Sequence, residues 1–282
     1  MEPFITAVLN CMTLVSVLVL VGLGMAIIFG LMDVMNLAHG EFITIGAYTL
    51  VVVQKVGGNY WVGLIVAPFI GYIIGIVYER LIIRYLYQRP LDTLIATFGV
   101  SLILQKGIEF IFGPGLQNTL PPLQGAISFS GILYPTYRVF MIVFAFSIIS
   151  LCLFLYKRSQ FGLDLRAVIQ DRNTAEAMGI NTKGTYRVAF AAGSALATIA
   201  GVLLAPLISV NVGMGFLFLA KAFFVVILGG VGSIAGVVAG SCVIGGMETS
   251  FLYFMDGPAA YALVLIISVV IIRFRPKGLV PV

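Results

Sequence analysis

Long apolar runs alternate with short polar or charged segments along the whole chain. Unbroken runs approach the roughly 20 residues that a helix needs to cross a bilayer: Ile5–Met32, Trp61–Tyr78, Thr93–Phe112, Val139–Tyr156, Val188–Leu207 and Ala259–Ile272. Two further apolar stretches are interrupted, the first by Asp33–Glu41 before Phe42–Gln54. The second is interrupted by Gly229–Gly232, between Phe216–Leu228 and Ser233–Phe254. The pattern predicts about eight to ten transmembrane helices, with two broken-helix elements.

Composition supports a membrane protein. Of 282 residues, 61% are hydrophobic and only 10% are charged, whereas a soluble domain is about half apolar and a quarter charged. We therefore predict an all-α polytopic integral membrane protein with a single transmembrane domain, 1–282. Its N-terminal half is 1–156, its polar cytoplasmic segment is 157–187, and its C-terminal half is 188–282.

Basic residues predict the orientation. The segments assigned inside hold three, six and three Lys/Arg residues, and those assigned outside hold Lys55, Arg138 and Lys221. Twelve against three is a strong positive-inside asymmetry. It places the N-terminus outside and the C-terminus in the cytoplasm, with about nine crossings. No basic cluster stands apart from the membrane, so the net charge of +5 does not indicate nucleic-acid binding.

Gly113–Arg138 contains four prolines and no clean helical period, and it predicts a long external loop with a short helix. Small residues four apart mark helix faces that allow close backbone approach. On this basis we expect Gly193, Gly201, Gly236 and Gly240 to pack against neighbouring helices.

A polar stripe runs along the fourth span, at Thr93, Thr97, Ser101, Gln105 and Glu109. Residues four apart share one slowly turning face of a helix. Polar groups are costly in hydrocarbon, so this face avoids lipid. The stripe either binds a neighbouring helix or forms a wall of a solute path.

Asn36, His39 and Glu41 crowd the first break. They either form a buried polar knot that holds an unwound segment or contact the solute. A metal site is not predicted, because three ligands with suitable spacing are missing. No glycine loop followed by Lys-Ser/Thr and no catalytic signature occurs, so the chain has no ATPase site of its own.

Four motifs carry a family resemblance, in order and across nearly the whole chain. They are N-x-A-H-G-E-F with G-A-Y (Asn36–Tyr48), A-T-F-G-V-S-L-I-L-Q (Ala96–Gln105), A-E-A-M-G-I (Ala175–Ile180) and L-G-G-V-G-S-I-A-G (Leu228–Gly236). They resemble permeases of branched-chain amino acid ABC importers. Urea and short-amide importers use similar permeases; Arg89–Thr97 is more similar to the urea branch and Lys221–Phe223 to the amino-acid branch.

The resemblance implies a fold related to the ribose and vitamin B12 permeases, in a bacterial-type plasma (inner) membrane. It implies a second homologous permease or a second copy of this chain, two cytoplasmic ATP-binding subunits and an external solute-binding protein. ATP and Mg would be held by the partners, and this chain would bind no cofactor. The region Leu165–Gly179 resembles the helix that couples to the ATPases. The coupling candidates are Leu165, Arg166, Arg172, Glu176, Ala177, Met178, Gly179 and Ile180.

These inferences predict a transport subunit that moves branched-chain amino acids inward. The alternatives are a urea or short-amide importer and, more distantly, a stand-alone channel or secondary transporter, which would not need the charged central segment. The expected solute path combines the span-four stripe with free backbone groups of both breaks. Its candidate residues are Asn36, His39, Glu41, Thr97, Ser101, Gln105, Gly229, Gly230 and Gly232.

Overall fold

The structure, a computed structural model, describes residues 2–32, 36–87, 89–129, 132–276 and 278–280. The described helices are α1 (Glu2–Met32), α2 (His39–Lys55), α3 (Tyr60–Leu81), α4 (Pro90–Phe112), α5 (Thr136–Arg158), α6 (Gln160–Gln170), α7 (Arg172–Ala177), α8 (Thr182–Leu204), α9 (Met214–Gly229), α10 (Ile234–Phe251) and α11 (Gly257–Phe274). A 3-10 turn, Ile83–Tyr85, follows α3. Two strands, β1 (Ala126–Phe129) and β2 (Ile132–Pro135), precede α5.

Among the described residues, seven helices are long and apolar enough to cross a membrane, judged by length and composition: α1, α3, α4, α5, α8, α10 and α11. The shorter helices α2 and α9, of 17 and 16 residues, each adjoin one of the two breaks. The expected all-α polytopic fold with two broken-helix elements is therefore confirmed. In a bilayer such helices satisfy their own backbone groups, which is why the apolar pattern alone indicates them.

Helices α1 and α8 form the centre of the bundle. In each, 72% of the most apolar window is buried, against 11% in α4 and 17% in α11. One hydrophobic core draws on both halves of the sequence, from Val17 to Val264. Helices α4 and α11 therefore lie at the periphery, with most of their apolar surface open to lipid or to a partner.

Glycines let the central helices touch backbone to backbone. A Cβ at Gly24 would lie 2.6 Å from the carbonyl oxygen of Gly193, and a Cβ at Gly193 would lie equally close to that of Gly24. On the same helix α8, a Cβ at Gly201 would overlap the carbonyl of Ile43 in α2. Helix α8 thus contacts α1 and α2 through the two glycines that the spacing singled out.

The two helices that flank the second break meet in the same way. A Cβ at Gly236 of α10 would overlap the carbonyl oxygen of Gly229 of α9, and one at Gly240 would overlap that of Val225. Gly232, in the turn, has φ +77 and no neighbour within 4 Å of its Cβ position. Its role is conformational, because this backbone geometry strains any residue with a side chain.

The long loop after α4 differs from the expectation of a short helix. Its described residues form an antiparallel hairpin in which Ala126 pairs with Pro135 and Ile127 with Tyr134. Upstream, Gln117 forms an isolated bridge with Val210. Pro121 and Pro122, between the bridge and the hairpin, lack the N–H groups that a helix interior needs, which disfavours a helix there.

The polar segment 157–187 folds into α6, α7 and the start of α8. A small second core lies where α1 ends and α8 begins, formed by Leu31, Leu165, Val168, Ala175, Tyr186 and Ala189. We call this end of the bundle the proximal end. The opposite distal end carries the β-hairpin, whose Tyr134 hydroxyl hydrogen-bonds that of Thr13 at 2.9 Å.

Candidate functional site

A buried carboxylate binds the polar stripe of α4. Glu41, in the first turn of α2, is 1% exposed. Its Oε1 accepts a hydrogen bond from the Ser101 hydroxyl at 2.8 Å and another from Gln105 Nε2 at 2.8 Å. Its Oε2 has no hydrogen-bond donor among the described residues. We call these three residues the Glu41 cluster.

The end of the first break is held by side-chain acceptors. Asn36 Oδ1 accepts from the Ala38 N–H at 3.0 Å and from the Tyr78 hydroxyl at 3.3 Å. The Leu37 N–H donates to Thr97 Oγ1 of α4 at 3.2 Å. Asn36 and Thr97 thus satisfy backbone groups that the break removes from a helix, which a membrane interior requires.

His39 is fully buried at the start of α2. Its imidazole packs against the Phe42 ring, with ring centroids 6.4 Å apart. It would also lie 3.3 Å from a Cβ built at Gly24. His39 therefore fills space between α1 and α2, while Glu41, two residues on, faces α4.

A cavity of about 310 Å³ opens beside the Glu41 cluster. Ser101 and Gln105 give it one polar wall. The rest of its lining is apolar or glycine, namely Leu37, Phe98, Leu102, Gly213 and Phe216. Its residues come from the first break, from α4, and from the N-cap and first turn of α9. A small solute in it would meet hydroxyl and amide groups on one side and hydrocarbon on the others.

The stripe itself divides along α4. Thr97 and Ser101 are buried, and they lie toward the first break and α2. Glu109 instead pairs with Lys106 at 2.6 Å, with 35% and 76% of the two side chains exposed. The polar face therefore contributes to the candidate site from Thr97 to Gln105 and leaves it near the end of α4.

The second break does not reach this cavity. The Gly229 carbonyl accepts from the Val280 N–H at 3.0 Å, and the Gly230 carbonyl accepts from the Ser233 N–H at 3.2 Å. These backbone groups are therefore occupied, contrary to the expectation that they are free for solute. Gly232 lines a different, apolar cavity of about 350 Å³ beside α6. A C-terminal segment that pairs with the end of α9 was not apparent in the hydropathy pattern.

The coupling candidates face two ways. Leu165 is buried, and Ile180 packs against the small core at the proximal end. Met178 is 77% exposed, and Glu176, Ala177 and Gly179 beside it are exposed as well. The turn at Gly179, with φ +86, separates the exposed residues from Ile180. The outward surface is therefore the end of α7, and Ile180 belongs to the bundle.

Arginines anchor α6 and α7 to aromatic rings. The Arg166 guanidinium donates to the Tyr156 carbonyl and lies 5.0 Å from the Tyr156 ring centroid. The Arg172 guanidinium lies 5.3 Å from the ring centroid of Tyr186 and 6.0 Å from that of Tyr87. Cation–π contacts of this kind are worth about 0.5–2 kcal/mol, more where water is excluded.

Asp171 separates α6 from α7 and caps the latter. Its carboxylate accepts from the backbone N–H and hydroxyl of Thr174 and from the Asn173 N–H. These hydrogen bonds hold the pKa of the Asp171 carboxyl below its usual range. The cap fixes where α7 begins and therefore where Met178 projects.

Two residues that the sequence did not single out connect α7 with α3. The Tyr87 hydroxyl donates to Glu79 Oε1 at 2.9 Å, and Glu79 Oε2 lies 3.5 Å from Arg187 Nε. Burial, together with the nearby Glu79 carboxylate, raises the pKa of Tyr87. Glu79 neighbours Tyr78, which binds Asn36 in the break. Glu79 could have been found from the sequence, because an acidic residue at an apolar span indicates a functional or paired group. No feature of the sequence singles out Tyr87.

Comparisons with known proteins agree with this architecture. Residues 7–273 match the family described as the branched-chain amino acid transport system / permease component. The high-affinity branched-chain amino acid transport system permease protein LivH of Salmonella typhimurium is 29% identical, over 98% of this chain and 95% of that protein. BraD of Pseudomonas aeruginosa, with the same description, is 28% identical over the same shares.

More distant similarities extend the comparison. LivM of Escherichia coli, also described as a permease protein of such a system, is 26% identical, over 95% of this chain and 69% of that protein. In fold, the chain resembles PsaBC from Streptococcus pneumoniae, solved in complex with Fab. The TM-score is 0.51 and the identity 15%, covering 93% of this chain and 90% of that one. The resemblance seen in the four motifs is confirmed: this multi-pass membrane protein belongs to the permease component family of branched-chain amino acid transport systems.

Proposed function

We propose that this permease passes branched-chain amino acids inward through the cavity beside the Glu41 cluster, as one of two permease subunits of an ATP-driven importer. The observation that carries the choice of solute is the division of that cavity into one polar wall and several apolar ones. LivH, BraD and LivM, which are similar to this chain, are described as permeases for the same solutes.

The chemistry of the cavity suits a zwitterion with a branched side chain. Ser101 and Gln105 line the cavity and supply hydrogen-bonding groups for the solute. The Glu41 carboxylate, which accepts hydrogen bonds from both, lies behind them and attracts the ammonium group. Phe98, Leu102 and Phe216 offer hydrocarbon to the side chain. These contacts replace the hydrogen bonds with water that a zwitterion loses in a membrane. Urea has no apolar part to use such walls.

The positive-inside pattern supports a topology in which the proximal end, with α6 and α7, faces the cytoplasm of a cell with a bacterial-type inner membrane. The C-terminus lies on that side, and the distal end faces outward toward a solute-binding protein. The six Lys/Arg residues of segment 157–187, together with Arg273 in the last turn of α11 and Arg275 after it, flank spans at the proximal end.

The end of α7 docks on a cytoplasmic ATP-binding subunit, which holds ATP and Mg. Met178 is the apolar contact and lies beside exposed polar groups. Movement of α7 reaches the bundle through Arg172, Tyr87 and Glu79. This chain contributes no ATPase residue; its role is to present a surface to the subunit that does.

Uptake by cells that express the complete importer tests the choice of solute. Uptake of radiolabelled leucine should be competed by isoleucine and valine, and hardly by urea or acetamide. The control is the same operon with this chain deleted. If urea competes and isoleucine does not, the protein is a urea permease and the proposed solute is wrong.

A further inference from the structure

A second cavity lies at the distal end, on the far side of the bundle from α6 and α7. It has a volume of about 730 Å³. Helices α1, α8, α9 and α10 enclose it, with Arg138 of α5 at its edge. No residue of the Glu41 cluster lines it. Its lining residues that carry a charge at neutral pH are Arg138, Lys221 and Glu248. We call it the distal cavity.

A buried ion pair forms part of its wall. Lys221 Nζ lies 2.6 Å from Glu248 Oε1, with only 14% and 10% of the two side chains exposed. The ammonium group also lies 5.1 Å from the Tyr261 ring centroid and 5.7 Å from that of Phe218. Lys221 is therefore held by one ion pair and two ring contacts. The second oxygen of Glu248, Oε2, is buried and has no donor among the described residues.

The Arg138 guanidinium, a positive charge in the same cavity, lacks an ionic partner. Arg138 Nη1 donates to the neutral Asn10 Oδ1 at 2.5 Å, and its guanidinium carbon lies 5.9 Å from the Tyr134 ring centroid. None of the described carboxylates lies within ion-pair distance of it. A guanidinium has five donors in a planar fork that matches a carboxylate, and Asn10 accepts from only part of that fork.

Charged groups inside a membrane protein are expensive and mark functional sites. A structural role for the Lys221–Glu248 pair would explain why α9 and α10 are joined. It leaves the second carboxylate oxygen of Glu248, a guanidinium without an ionic partner and the cavity that both side chains line without a role. Arg138 adjoins α1 through its hydrogen bond to Asn10, and Leu14, Val17 and Leu204 add an apolar lining.

We propose that the distal cavity is a second solute site, which binds an α-amino acid before it reaches the Glu41 cluster. The Arg138 guanidinium binds the solute carboxylate, and Glu248 Oε2 accepts from the ammonium group. The aliphatic side chain lies against the apolar residues of α1 and α8. That the solute is an amino acid with an aliphatic side chain rests on the proposed function. That it carries both a carboxylate and an ammonium group is inferred from the cavity alone.

Equilibrium binding of radiolabelled leucine to the assembled permease in phosphatidylcholine nanodiscs, without the solute-binding protein, tests this site. Three competitors separate the charges: leucine, leucinamide, which lacks the carboxylate, and 4-methylpentanoate, which lacks the ammonium group. Only leucine should compete strongly. Arg138→Gln and Glu248→Gln should each weaken binding about tenfold or more, as expected for loss of a charge-assisted hydrogen bond.

Matched variants keep the result interpretable. Glu248→Gln leaves Lys221 without its carboxylate, so the double variant Lys221→Gln/Glu248→Gln provides a neutral pair if the single variant does not assemble. The control is Lys106→Gln/Glu109→Gln, which removes an exposed intramembrane pair from α4 and should leave leucine binding unchanged.

Unchanged binding in Arg138→Gln, or equal competition by leucinamide, would overturn the proposal. So would phosphatidylethanolamine that co-purifies with the wild type and is lost in Arg138→Gln, if leucine does not bind; the cavity would then hold a lipid headgroup. Normal leucine uptake together with absent binding would refute the distal site alone. Failure of leucine uptake by the wild-type importer would refute the proposed function instead.

Discussion

The hydroxyl of Ser101 in α4 donates to the carboxylate of Glu41 in α2 at 2.8 Å, inside a bundle where both residues are almost fully buried. Most of the surface of α4 is exposed, so polar contacts account for much of what holds it to α2. The same contacts form the polar wall of the candidate solute cavity. The structural role and the proposed transport role therefore fall on one side chain, and substitutions of different size can separate them.

Ser101→Leu should reduce leucine uptake more than about tenfold, because it removes a donor and fills the polar wall with hydrocarbon. Ser101→Ala should have a mild effect, since Gln105 or a water can replace the hydroxyl. Ser147→Leu, at an exposed position of α5, is the matched control. Full uptake by Ser101→Leu would show that the polar stripe only contacts a neighbouring helix and does not line the solute path. Loss of assembly would place the path elsewhere.

Glu41→Gln should lower uptake about tenfold while the importer still assembles. The amide oxygen can still accept from Ser101, but the charge that attracts an ammonium group is lost. Glu109→Gln, in the exposed pair with Lys106, should transport normally. Uptake kinetics should show a higher KM or a lower maximal rate for leucine, while immunoblots show an unchanged amount of protein. Wild-type kinetics in Glu41→Gln would exclude the carboxylate from solute binding.

Gly236→Leu should separate α9 from α10 and lower the detergent melting temperature of the complex, at a cost of about 1–3 kcal/mol or more from overpacking. A side chain there would overlap the backbone of Gly229. Gly246→Leu lies on the same helix, has no atom within 4 Å of its Cβ position, and should be tolerated. Equal melting temperatures for the two variants would contradict the packing shown here.

Met178→Asp should abolish uptake and weaken co-purification of the ATP-binding subunit, with normal amounts of the permease in the membrane. Its side chain is exposed, so the change disturbs a docking surface and not the bundle. Ile180→Asp should instead reduce the amount of folded protein, because Ile180 packs into the proximal core. Val56→Asp, at an exposed loop position, is the control. If Met178→Asp still binds the ATP-binding subunit normally, α7 is not part of the docking surface.

Tyr87→Phe should uncouple ATP hydrolysis from uptake without loss of assembly. The variant keeps the ring beside Arg172 but removes the hydrogen bond to Glu79, worth about 1.5–3 kcal/mol for a charged acceptor. The measurement is the ratio of leucine molecules taken up to ATP hydrolysed in proteoliposomes. Arg166→Lys, which retains a cation beside Tyr156, serves as the comparison. An unchanged ratio would show that the Tyr87–Glu79 hydrogen bond does not couple ATP hydrolysis to uptake.

Helix positions and packing faces were accessible from the sequence because they depend on local physics. A lipid-spanning segment must satisfy its own backbone, so its length and hydropathy indicate it without knowledge of its neighbours. Small residues four apart likewise mark a close contact, and Gly193, Gly201, Gly236 and Gly240 all lie at one. The four motifs identified the family for the same reason: they are contiguous in the chain.

The partners of each polar group were decided only by the tertiary structure, since they come from distant parts of the chain. The stripe of α4 could have faced any helix until α2 placed Glu41 opposite Ser101. The second break could have lined the path until the C-terminal segment occupied the Gly229 carbonyl. Met178 and Ile180 look alike in sequence, yet the turn at Gly179 exposes Met178 and lets Ile180 pack against the core of the proximal end. Long-range contacts of this kind leave no local periodicity, because the residues that form them are separated by dozens of positions.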